Sequence, residues 1–223
     1  STKQEQQELL NIVIVGGGAT GIEVAGILSE MKKFVLPNDY PDMSSSLMHI
    51  YLIEAGPRLL AGMSEESSAH AEQFLREMGV NILLNKRVVD YRDHKVVLED
   101  GTEIATRTFI WVSGVTGVTI GNLDASLIGR GGRIKVDSFN RVEGMNNVFA
   151  IGDQCIQLAD ENYPNGHPQL AQVAIQQGEL LAKNLIRMEK GQEMKPFHYR
   201  NLGSMATVGR NRAVAEFSKV KMQ

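Results

Sequence analysis

A single cysteine, Cys155, among 223 residues excludes an internal disulfide framework, a thiolate metal cluster and a CxxC redox pair. A lone thiol suits a reducing compartment, so the cytoplasm is expected. No stretch reaches the roughly 18 apolar residues that crossing a bilayer requires. The opening Ser1 to Leu9 is polar, unlike a signal peptide. Lysine and arginine form no dense block, and at net charge -3 the chain offers no footprint for nucleic acid. Internal repeats and low-complexity segments are missing too, and no metal site is assigned. Glycine, by contrast, is plentiful at 22 residues. It clusters at Gly16-Gly17-Gly18 and from Gly129 to Gly132, where the backbone must turn sharply or approach something closely.

The patterning is α/β. Ile12 to Val15 is an unbroken β-branched run, which reads as a strand buried on both faces of a parallel sheet. Ile22 to Leu36 reads as a helix ended by Pro37, and Asn38 to Ser46 as an exposed polar loop. His49 to Glu54 reads as a second strand. Ser64 is placed to cap a helix running to Met78, with Glu65 and Glu66 in its first turn, Gly79 past its end, and Phe74 and Met78 on its buried face. Strand Val80 to Leu84 follows, then a β-rich stretch from Val88 to Val112 with a hairpin signal at Asp100-Gly101. Beyond it, residues 118 to 132 are loop-like, Ile134 to Val136 is short and extended, and Val148 to Ile151 reads as a buried strand ending in Gly152-Asp153. A helix from about Leu170 to Met188, stopped by Gly191, precedes an apolar segment around Met205 to Val208.

Gly16-Gly17-Gly18-Ala19-Thr20-Gly21 satisfies G-x-G-x-x-G between a buried strand and a helix. Gly16 would make the turn out of the strand, Gly18 would let the backbone approach a pyrophosphate, and Gly21 would let helix and strand pack closely. The diphosphate would rest on the helix N-terminus, where unpaired N–H groups favour negative charge. Glu54 closes the next strand and is placed to accept hydrogen bonds from an adenosine ribose. It lies 33 positions after Gly21, against a usual spacing of about 20, and the polar insert from Asn38 to Ser46 supplies most of the excess. A carboxylate there repels a 2′-phosphate, which favours NAD(H) over NADP(H); Arg58, four positions on, moderates that preference. The plainer alternative is a glycine-rich turn that only connects strand to helix.

Five stretches carry a family resemblance. Asn147-Val148-Phe149-Ala150-Ile151-Gly152-Asp153 resembles the second flavin motif of the two-dinucleotide flavoprotein reductases. Ala171-Gln172-Val173-Ala174-Ile175-Gln176 is similar to the stretch that lines the quinone pocket of type II NADH dehydrogenases, the NADH:quinone oxidoreductases. Gly21 to Gly26, Ile53 to Leu60 and Gly203 to Arg210 resemble that family as well, so the likeness runs from about Asn11 to Phe217. It implies a Rossmann-like FAD/NAD(P)-binding α/β fold with an antiparallel β excursion, plus the returning half of a flavin-binding domain. It implies the cofactors NAD(H) and FAD, hydride transfer from NADH to FAD, and two-electron reduction of a quinone. Asp153 and Gly152 would hold the flavin, Gln172 and Gln176 would line the acceptor pocket, and Glu23 would handle protons. Gly114 would let nicotinamide or flavin approach. Each has a plainer alternative. Asp153 can be a turn residue and Gly114 an ordinary turn. Glu23 can be a first-turn carboxylate. Gln172 and Gln176, four apart, share a helix face with Glu179, Lys183 and Arg187 that can be a solvated stripe.

Against the family pattern, no flavin-binding strand precedes Ile12 and no membrane-anchoring region follows. The expectation is therefore a piece of a longer, peripheral enzyme on the cytoplasmic membrane face. It would comprise an NAD(H)-binding domain over 10–115, a returning flavin segment over 116–191 and the start of a C-terminal region over 192–223. Such a piece should hold FAD poorly, be inactive alone, and dimerise or be partly disordered after residue 115. A flavoprotein disulfide or ferredoxin reductase is the neighbouring alternative. A non-catalytic NAD-binding module is the alternative of another class.

Overall fold

The computed structural model describes residues 3–42, 44–118 and 120–217, so the end of the segment expected over 192–223 lies outside the described residues. The polar lead-in is a helix, α1 (Lys3–Leu10). It is tied down where the Glu8 carbonyl accepts the Arg107 N–H at 2.8 Å. Strand β1 (Asn11–Val15) is buried at every residue.

Helix α2 runs over Ala19–Glu30, starting three residues before the expected Ile22. Pro37 does not end it. The chain widens into a π turn over Met31–Val35 and continues as α3 (Leu36–Asp39), with the proline in its first turn. Proline lacks an N–H and its ring crowds the preceding turn; one wide turn lets the helical path pass it. Strand β2 (His49–Ile53) and helix α4 (Glu65–Glu77) follow. Ser64 caps α4 by accepting the Ser67 N–H at 3.2 Å. The face of α4 that goes fully inside is Ser68, Ala71 and Leu75, while Phe74 and Met78 flank it.

Next come β3 (Val80–Leu83), β4 (Val88–Arg92), β5 (Lys95–Leu98), β6 (Glu103–Ala105) and β7 (Thr108–Trp111). The main sheet has the order β3-β2-β1-β7, all parallel, and β4-β5-β6 form a separate antiparallel sheet. The expected Asp100-Gly101 hairpin joins β5 to β6. A second hairpin turns at Asp93 and His94, both in the left-handed region and without a glycine to signal it.

Burial of β1 on both sides now has its cause. Ile12 and Ile14 face Ile22 and Ala25 of α2 and Ala71 and Leu75 of α4. Val13 and Val15 face Val96, Leu98 and Ile104 of the antiparallel sheet. Each such side chain contributes roughly 1.5–3 kcal/mol on leaving water.

The chain divides into two compact units, residues 1–114 with 203–223, and residues 115–202. In the second unit the ladder is β8 (Ile134–Val136) paired parallel with β9 (Cys155–Gln157). Val148 to Ile151 is not a buried strand. Phe149 makes one bridge to Arg141, Val148 is exposed, and the buried strand is β9. Helix α5 (Ala171–Glu189) ends just before Gly191, which takes φ +66°. The tail hairpin β10 (Ser204–Thr207) and β11 (Ala213–Glu216) belongs to the first unit, where Ala206, Val208 and Val214 join the core beside α2 and α4.

Candidate functional site

The glycine loop leaves β1 through a sterically crowded turn. Gly16 takes φ +117°, and a Cβ there would lie 2.9 Å from the Ser113 nitrogen beyond β7. At Gly21 a Cβ would meet the Gly16 carbonyl oxygen at 1.8 Å, so only glycine allows α2 to start this close to β1. Gly17 has a task that the fingerprint does not assign. Its Cβ would strike Leu59 at 2.7 Å and Glu54 at 3.0 Å. Gly18 meets nothing within 4 Å and is exposed together with Ala19 and Thr20. Space therefore opens at the point where α2 begins. No side chain caps that end, which leaves first-turn N–H groups and the positive end of the helix dipole facing it.

Glu54 points into this loop. Its Oε2 accepts the Gly17 N–H at 2.6 Å and its Oε1 accepts the Gly56 N–H at 2.7 Å. A carboxylate has about four acceptor positions, so two backbone bonds orient it and leave capacity for two ribose hydroxyls. Beside it lies a cavity of about 100 Å³ bordered by Gly16, Glu54, Arg87, Trp111 and Ser113. Whole-ligand pockets measure roughly 300–1,000 Å³, so this space suits one end of a dinucleotide, with the remainder over Gly18. Arg58 is engaged by its own loop. Its guanidinium donates to the carbonyls of Ala61 at 2.9 Å, Met63 at 2.7 Å and Ser64 at 3.2 Å, and so fixes its own loop. Gly114 takes φ +84° with open space at its Cβ position. Glu23 accepts the Thr207 N–H at 3.4 Å, joining α2 to β10.

In the second unit Gly152 takes φ +65° and opens a 3₁₀ turn, with the Asp153 side chain exposed. On α5 the polar face is neither a plain solvated stripe nor an open lining. Gln172 accepts the Leu202 N–H at 3.1 Å. Gln176 accepts the Arg200 N–H at 3.0 Å and donates to the Arg200 carbonyl at 2.9 Å. Asn184 repeats that two-way grip on Lys195, at 2.8 Å each way. Residues 193–202 form no strand; side-chain amides of α5 bond their backbone at Lys195, Arg200 and Leu202, and the Phe197 N–H donates to the Ser138 carbonyl at 2.7 Å.

Sequence reasoning missed a buried polar cluster here. His167 and Asp160 are bonded at 2.9 Å with almost no exposure. The rings of Tyr163, Phe197 and Tyr199 surround His167 at 5.1, 5.2 and 6.0 Å. The bond to His167 holds the Asp160 carboxyl below its usual range. Burial pushes the Cys155 thiol up, so it stays protonated at neutral pH and inert as a nucleophile. Spacing gives no hint of such a cluster, because its members come from a loop and the far end of the returning segment. Among the described residues no acid, histidine or cysteine group is set to hold a metal ion. Among them, too, no helix is long and apolar enough to cross a membrane.

From the loop outward, the first unit is a dinucleotide-binding α/β domain of Rossmann type. The chain belongs to the pyridine nucleotide-disulphide oxidoreductase family, whose model matches residues 1–178. It is 34% identical over 230 residues to a type II NADH:quinone oxidoreductase of Mycobacterium tuberculosis, covering 97% of this chain and 47% of that protein. It is 31% identical over 207 residues to the type II NADH:quinone oxidoreductase of Haemophilus influenzae, covering 92% and 46%. The chain thus spans about half the length of the curated relatives it matches. Among solved structures it superimposes on a Plasmodium falciparum NDH2 in complex with NADH, with TM-score 0.86 at 20% identity, covering 98% of this chain and 59% of that one.

Proposed function

We propose that the natural protein carrying this chain is an NADH:quinone oxidoreductase of type II, with NAD(H) as donor and FAD as resident cofactor. The observation that carries the reading is Glu54, held by the Gly17 N–H at 2.6 Å within a loop whose neighbouring Gly18 faces open space. The two relatives, each 31% or more identical and each named for this activity, support it.

On this reading the amides at the start of α2 bind the diphosphate, and Glu54 takes the adenosine ribose and disfavours a 2′-phosphate. Gly114 lets a ring approach. Bound FAD would supply the redox chemistry, taking a hydride and passing two electrons to the quinone. In the second unit the Asp153 carboxylate, exposed at its turn, is the group to meet the flavin's ribityl hydroxyls. Gln172 and Gln176 border the acceptor while holding residues 200–202. Glu23 is the proton-handling candidate. The protein would work at the cytoplasmic membrane surface, as a homodimer.

Titration of the intact natural protein with NADH and NADPH, followed by an NADH:menadione assay, tests this. NADH should bind the more tightly and menadione should turn over. A flavin-loaded preparation without menadione turnover would remove the dehydrogenase reading, and unchanged NADH affinity in Gly18→Val would remove the dinucleotide site.

A further inference from the structure

Gln177 lies inside the second unit at 1% exposure, one position past the glutamine pair that the family resemblance picks out. Successive residues of a helix point about 100° apart, so its amide faces inward while Gln172 and Gln176 grip the segment 200–202. Its Oε1 accepts the Gly152 N–H at 2.7 Å and the Cys155 thiol at 3.7 Å. The turn is pressed onto the helix at that point, since a Cβ on Gly152 would come within 3.2 Å of the Ala174 Cβ. Two more side chains hold the same turn. Gln169 donates to the Asp153 carbonyl at 3.1 Å. Arg133 donates to the Cys155 carbonyl at 2.6 Å and to the His167 carbonyl at 3.1 Å, linking the turn to the loop that leads into α5.

Gln169 and Arg133 act on carbonyls, which have two lone pairs and tolerate the loss of one partner. The Gly152 N–H is a single donor, and Gln177 reaches it across 25 positions of chain. A partly buried donor left without an acceptor is the costlier loss. Gln177 also suits the place as a neutral acceptor. A glutamate there would be kept protonated by burial and would still offer its carbonyl oxygen, whereas an apolar side chain would offer nothing.

We propose that Gln177 is the positioning residue that registers the Gly152–Asp153 turn on α5. One helix then fixes both the turn that holds the flavin's ribityl chain and, through Gln172 and Gln176, the acceptor side. This rests on the functional reading above. Gln177 itself touches neither flavin nor quinone; it acts through Gly152.

The test uses the intact natural protein loaded with FAD, with Gln177→Met, which keeps the length and removes the acceptor, and Gln177→Glu, which keeps an acceptor oxygen. In Gln177→Met the Gly152 amide should exchange with solvent about tenfold faster, and FAD affinity should fall by about tenfold, the scale of one hydrogen bond. The KM for menadione should rise with kcat little changed, and NADH affinity should stay as it was. Gln177→Glu should recover both Gly152 protection and FAD affinity. A folded Gln177→Met with wild-type Gly152 exchange and wild-type FAD affinity overturns the proposal. If Gln177→Met does not fold, Gln177→Glu decides: retained protection and FAD affinity support the role, and their loss overturns it. A wild-type protein that binds no FAD takes down the functional reading by itself, and Gly152 exchange then judges whether Gln177 registers the turn.

Discussion

The carboxylate of Glu54 and the amide of Gly17 are joined at 2.6 Å, and this bond ties the end of β2 to the loop after β1. It aims the acid without using all of its acceptor capacity. In Glu54→Gln one oxygen remains to accept, but the charge is gone. Hydrogen bonds to charged groups contribute about 1.5–3 kcal/mol, so NADH affinity should drop by about tenfold or more. NADPH affinity should change little or improve, because the repulsion of a 2′-phosphate goes with the charge. Fluorescence titration with both nucleotides measures this, and an unaltered NADH-to-NADPH preference would take Glu54 out of recognition.

The second and third glycines of the fingerprint should separate folding from binding. Replacing glycine by alanine in a compatible conformation stabilises by about 0.4–1 kcal/mol through the unfolded chain. At Gly21 that gain is overwhelmed, because the new methyl would sit 1.8 Å from the Gly16 carbonyl oxygen, which is backbone and cannot swing aside. Overpacking costs typically 1–3 kcal/mol and sometimes more, so Gly21→Ala should lower Tm by about 2 °C or more. Gly18→Ala has open space and should leave Tm unchanged or raise it by up to about 4 °C while weakening NADH, the opposite pattern. Thermal melts beside NADH titrations decide. Equal melting of both variants would contradict this division of labour.

Asp160 gives the second unit a pH dependence of known sign. Its carboxyl is held low in the folded state, chiefly by the bond from His167, so folding favours the ionised form. That contribution is whole above the ordinary carboxylate value of about 3.9 and drains as pH falls through the lower native value. In the wild type the loss should therefore show below about pH 4. Asp160→Asn has no such ionisation to lose. It should be less stable than wild type at pH 7, and the gap should close on acidification. Denaturant midpoints at pH 7 and pH 3 measure it, and a gap that widens toward acid would reverse the assignment.

Part of this structure is legible one residue at a time. The β-branched run 12–15, the glycines at 16 and 21, the Ser64 cap and the turn at Gly101 each act through sterics or hydrogen bonds to near neighbours. A reader of the chain can name them and be right about where they fall. Pro37 shows the limit, since a proline usually stops a helix and here a π turn carries the path past it. Val148 to Ile151 shows another. Its apolar run is as strand-like as Cys155 to Gln157, and only the second finds a parallel partner, in Ile134 to Val136.

Local chemistry thus settles that a helix opens on bare amides behind a buried strand, and that an acid closes the next strand. Those features depend on bond geometry within a few residues. Which groups the remaining polar side chains serve was decided by the folded chain. Arg58 holds its own loop, Gln176 holds Arg200 and Gln177 holds Gly152. An amide or guanidinium can satisfy almost any backbone group, so its partner is set by whichever segment packing brings within 3 Å.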